Sequence, residues 1–123
     1  MSGAATFERP PGATVERELE GRVPATAARV FALLARRVDP QGDGHFAADA
    51  ASRRIVVQGD YWYRGEYSVE PDPDAASGSI VRHAIVNVAP GWHFLGALTG
   101  RTVVRAAPKQ FAALVDQLTA ELT

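Results

Sequence analysis

The sequence predicts a single α+β domain, a curved antiparallel sheet of five to six strands with a long C-terminal helix packed across it. Three observations carry that prediction. Residues 14–23 and 61–70 alternate apolar and polar side chains, the period of two expected of half-buried strands. Residues 108–122 set Phe111, Leu114, Val115, Leu118 and Leu122 on one helical face. Hydrophobic residues are 46% of the 123 and charged residues 22%, a balance that supports one core without metal or disulfide staples.

Residues 1–13 are small, polar and Pro-rich, and Pro10-Pro11-Gly12 stops regular structure, so they read as a flexible segment ahead of a domain spanning 14–123. In the first strand Val15, Arg17, Leu19, Gly21 and Val23 share one face, and Glu16, Glu18, Glu20 and Arg22 share the other. Arg17 is the misfit on the apolar side. It either marks a sheet edge or reaches into an interior cavity. Thr26 then offers a hydroxyl to cap a helix. Ala27, Val30, Phe31, Leu34 and Val38 make that helix's apolar stripe, and Arg36 and Arg37 complement its C-terminal dipole. The run Asp39 to Gly44 ends it.

Short strands follow at His45–Ala50 and Arg53–Gly59. A long hairpin spans 61–89, turning through Pro71-Asp72-Pro73-Asp74-Ala75-Ala76-Ser77-Gly78. Pro90-Gly91 breaks its second arm, and residues 92–100 read as a loop or short helix. Pro108 suits the first turn of the final helix, unless residues 102–107 extend that helix upstream.

Composition excludes several classes. Without cysteine there is no thiolate catalysis or zinc–thiolate site. A net charge of −1 argues against a surface dedicated to nucleic acid. No apolar run nears the ~20 residues that span a bilayer, and no secretory pattern opens the chain, so a cytoplasmic location is the default expectation. His45, His83 and His93 lack the local spacing that favours a shared metal, and no motif asks for a cofactor. No nucleophile elbow or phosphate loop is present.

Val23-Pro24-Ala25-Thr26 running into Val30-Phe31 resembles the strand-to-helix step of the START-like, or SRPBCC, helix-grip superfamily. Tyr67-Ser68-Val69-Glu70-Pro71 followed by Gly78-Ser79-Ile80-Val81 is similar to that family's penultimate hairpin, and Phe111 to Leu122 to its gripping helix. The polyketide cyclase/dehydrase-type members come closest. The resemblance implies a hydrophobic or aromatic ligand, lipid- or polyketide-like, held between sheet and helix. Typical members carry a second small helix, for which Asp39 to Gly44 leaves no room. The shortened sheet implies a smaller cavity, or none.

Candidate site residues follow from the pattern. Tyr61, Tyr63 and Tyr67 share a strand phase and supply an apolar wall with polar tips, or else fill the core against Phe111, Val115 and Leu118. His83 shares a face with Val81, Ile85 and Asn87, but Ile80, Ala84, Val86 and Val88 make the opposite face equally apolar. Which face points inward stays open. If it is the histidine's, His83 and Asn87 could orient a ligand carbonyl or act as acid and base. Trp92, Phe94 and Leu95 read as a lid or a homodimer contact. Three functions compete: a ligand-binding protein, an aromatase/cyclase-type enzyme using Tyr67, His83 and Asn87 or Arg17, and a dimeric interaction module with a filled core.

Overall fold

A computed structural model describes residues 3–42, 44–59, 62–88 and 101–123. In chain order the elements are β1 (Gly3–Ala4), β2 (Thr14–Val23), α1 (Ala27–Val38), β3 (His45–Asp49), β4 (Arg54–Gln58), β5 (Tyr63–Pro71), β6 (Ser79–Asn87) and α2 (Arg101–Leu122). The sheet order is β1-β3-β4-β5-β6-β2. Five strands pair antiparallel, and two-residue β1 adds a parallel edge beside β3.

Both helices pack on one side of the curved sheet. Between them lies a core of Val23, Val30, Phe31, Leu34, Ile55, Val69, Val81, Phe111 and Leu118. The apolar stripe of α1 is as its spacing predicts, with Leu33 buried as well. Thr26 takes the N-cap position in extended backbone, but its hydroxyl makes no capping bond. The turn is closed by backbone instead, Val30 N–H donating to the Thr26 carbonyl at 2.9 Å. The buried Ser79 hydroxyl adds a bond to the Ala25 carbonyl at 2.5 Å.

A β-bulge between Val15 and Arg17 corrects the alternation of the first strand. The extra residue reverses the phase before it, so Val15 turns away from the helices and is 39% exposed. From Arg17 onward the predicted faces hold, with Leu19 opposite His83 and Gly21 opposite Val81. Arg17 is exposed on this edge strand, which selects the first of its two sequence readings. Gly21 has a packing role: a β-carbon there would lie 2.7 Å from Val115 Cγ2 and 3.3 Å from Phe111 Cε2. Its absence lets α2 cross close to β2.

Helix α2 runs through Pro108, so the upstream extension holds and the proline is interior rather than in the first turn. It removes one helical N–H donor, a local weakness in the element. The other end is tied down. Arg29 donates to the Leu122 carbonyl at 3.3 Å, satisfying an otherwise orphan helix-end oxygen. Arg37 reaches both Gln117 and Glu121.

The side of the sheet turned away from the helices carries the N-terminal segment. Arg64, on the outward phase of β5, is fully buried beneath it. Its guanidinium donates to the Thr6 carbonyl at 2.8 Å, the Phe7 carbonyl at 3.0 Å, Gln58 Oε1 at 3.1 Å and Glu66 Oε2 at 2.8 Å. Arg9 forms a two-pronged pair with the same Glu66, and Arg54 lies over the Phe7 ring. Residues 6–9, leaving edge strand β1, thus run across the outer sheet as a strap.

Candidate functional site

The register of β5 against β6 settles which face of β6 points inward. Tyr67 pairs with His83, Gly65 with Ile85 and Tyr63 with Asn87. Side chains directly opposite share a face, so the tyrosine phase and the histidine phase are one and the same. Both face α2, where His83 lies between two rings. The Tyr67 ring stacks on it at 4.1 Å between centroids and 10° between planes, and Phe111 of α2 lies at 5.7 Å and 23°.

These groups wall a cavity of about 180 Å³ between the sheet and the N-terminal half of α2. Tyr63, Tyr67, His83 and Ile85 supply the sheet side. Ala107, Phe111 and Leu114 supply the helix side, with Gln110 and the 41%-exposed Val103 at the rim. Tyr63 owes its position to Gly65, since a β-carbon at residue 65 would overlap the Tyr63 hydroxyl. The glycine lets the ring lie back along the strand, and Trp62 meets it edge-on at 5.6 Å.

Electrostatically the cavity is neutral. No Asp, Glu, Lys or Arg is among its described lining residues. Burial holds the His83 imidazole below its ordinary pKa, only partly offset by a bond from Nδ1 to the Glu66 carbonyl at 3.1 Å. That bond places the proton of the neutral ring on Nδ1 and leaves Nε2 as an acceptor. Burial raises both phenols above their ordinary range, Tyr67 the further. Both stay protonated at neutral pH.

Of the predicted site residues, the fold gathers Tyr63, Tyr67, His83, Ile85 and Phe111 around this space. Asn87 is on the same sheet face and fully buried, but lies off the lining, its amide donating to Glu16 Oε1 at 3.4 Å. Val115 is likewise off the lining, packed over Gly21. Tyr61, Trp92 and Phe94 fall outside the described residues. The residues not anticipated are Val103, Ala107, Gln110 and Leu114. Leu114 was on the predicted apolar stripe, and extending that helix upstream puts Val103, Ala107 and Gln110 near the same side.

A larger concavity of about 600 Å³ lies on the outer side of the sheet, bordered by Arg9, Glu18, Glu20, Arg54 and Arg82. It is a trough among ion pairs: Arg82 engages Glu20 and Glu70, and Arg9 engages Glu66. The smaller space is the candidate site because the aromatic and titratable groups converge there. Among the described residues, no group of three or more His, Asp or Glu is arranged to hold a metal ion. None of the described helices is long and apolar enough to cross a membrane.

No protein-family model matches the chain, and no curated protein matches it either. Solved structures do. TTHA0849 from Thermus thermophilus superposes with a TM-score of 0.56 at 16% identity, over 86% of this chain and 98% of that one. The di-domain ARO/CYC BexL from the BE-7585A biosynthetic pathway gives a TM-score of 0.56 at 24% identity, over 81% of this chain. The chain spans 45% of BexL, about half of that di-domain protein. At these identities the likeness is one of architecture: the chain has an α+β helix-grip fold, a curved antiparallel sheet with a long C-terminal helix across it, like that of BexL.

Proposed function

We propose that the chain binds a hydrophobic or aromatic small molecule in the space between its sheet and its C-terminal helix. One observation carries this reading: a cavity of about 180 Å³ walled by Tyr63, Tyr67, His83, Ile85 and Phe111. Apolar walls with a few convergent polar groups are the usual make-up of small-molecule sites. The test is a thermal-shift screen of uncharged aromatic and aliphatic compounds. Several should raise the melting temperature, and Ala107→Phe, which crowds the cavity, should abolish the shifts. Uniformly flat melting curves for the wild-type chain would sink the reading.

A second reading, acid–base catalysis of the aromatase/cyclase kind, is favoured by His83. Neutral, with Nε2 as an acceptor and Tyr67 protonated beside it, it has the base-and-donor pairing that carbonyl enolisation uses. Neither Asn87 nor Arg17 joins them at the cavity, which narrows the candidate machinery to Tyr67 and His83. The expected result is cyclisation of a short poly-β-ketone mimic, followed by absorbance, that is lost in His83→Ala. Turnover unchanged by that substitution would remove this reading and leave the binding reading intact.

A further inference from the structure

The dimensions and polarity of the cavity say more about its ligand than the fold does. An apolar cavity of about 150 Å³ holds a single benzene ring, whereas sites for drug-sized ligands run from about 300 Å³ upward. At about 180 Å³ this one has room for one ring and a small substituent. Its walls include four rings, those of Tyr63, Tyr67, His83 and Phe111, and aromatic rings pack well on one another in offset or edge contacts.

Charge narrows the choice. A carboxylate entering the cavity would lose its hydration and, among the described lining residues, find no cationic side chain to replace it. Hydrogen-bond accounting narrows it again. Each phenol offers one proton and accepting lone pairs. A phenol in the lining can therefore give its proton to a ligand oxygen or accept one from a ligand hydroxyl. An acyl chain would present too much length, and a fused polycycle too much width.

Resting on the binding reading above, we propose that the cavity selects uncharged single-ring aromatic molecules bearing one hydrogen-bonding oxygen, as in an alkylphenol or an aryl ketone. The Tyr63–Tyr67 pair is its specificity element, and cavity volume its size limit.

The test measures affinities by calorimetry or ligand-observed NMR for five probes: 4-ethylphenol, acetophenone, toluene, benzoate and anthraquinone. Expected is binding of the first three, with the two oxygenated rings tighter than toluene, and no binding of benzoate at pH 7.5 or of anthraquinone. Tyr63→Phe should weaken 4-ethylphenol and acetophenone about 2- to 10-fold, the usual worth of one hydrogen bond, and leave toluene unchanged. Retained toluene affinity also shows that the variant is folded. Anthraquinone binding as tightly as acetophenone, or benzoate as tightly as either, would overturn the proposed ligand class while leaving the binding reading in place. An equal loss for all three rings in Tyr63→Phe overturns the assigned specificity element. If no probe binds and dodecanol and a fused aromatic ketone also fail, both the ligand class and the binding reading fall.

Discussion

His83 is held between the rings of Tyr67 and Phe111, and burial disfavours its protonated form. In the unfolded chain the same imidazole takes a proton near its ordinary value of 6.5. As pH falls below that point the unfolded state binds the proton first, so stability falls with it. The loss continues until the folded imidazole is also protonated, and is constant below that. Glu66 belongs to a lower window. Burial pushes its carboxyl up, but hydrogen bonds from Arg9 and Arg64 outweigh this and hold it below the ordinary 4.5. Its stabilisation is thus lost only as pH falls from about 4.5 through that lower folded value. Urea midpoints measured at steps from pH 7.5 to 5 should therefore decline for the wild-type chain and flatten in His83→Gln. A slope that survives the substitution would assign the titration to another group. The sequence showed His83 to be on a two-faced strand but could not orient it. The orientation comes from long-range pairing of Tyr67 with His83, information that alternation within one strand does not contain.

Among the elements, the strap of residues 6–9 is where sequence and structure part most. Pro10-Pro11-Gly12 correctly marks an interruption, yet nothing local to residues 6–9 reveals what they rest on. The partner is Arg64, a residue whose outward strand phase was legible and whose burial was not. An arginine in that phase is ordinarily solvated; here two backbone carbonyls, Gln58 and Glu66 replace the water. By contrast α1 and the C-terminal half of α2 were readable almost residue by residue, because their apolar stripes are local and 3.6-periodic. The bulge at Glu16 had no local signal: the residue whose face it changes is Val15, while Arg17 keeps the face its alternation gives it. Strap and arginine should act as one unit. Arg64→Ala should cost about 3 kcal/mol, the cost of breaking a buried charged network. Removing residues 1–9 should cost a similar order, and the combined variant clearly less than the sum. Additive losses in urea unfolding would show that the strap is held by something other than Arg64.

At the scale of the whole molecule, α2 does two things along its length. Its C-terminal half seals: Leu118 is fully buried, Val115 closes on Gly21, and Arg29 and Arg37 lash its end to α1. Its N-terminal half, on both sides of Pro108, stands over the cavity with Ala107 buried at the lining. Two substitutions on one helix should therefore have opposite signs. Leu118→Ala removes methylenes from a filled space and should cost about 3 kcal/mol, as in other well-packed cores. Ala107→Leu adds methylenes to an empty one. At about 0.8 kcal/mol per buried methylene, less the rotamer entropy and any imperfect fit, it should raise stability by roughly 1 kcal/mol. The same substitution should erase any ligand-induced thermal shift, since a molecule tuned to bind is often made more stable by occupying its own site. A stabilised Ala107→Leu chain that no longer responds to ligand would locate binding in this cavity; a destabilised one would mean that α2 seals the sheet along its whole length.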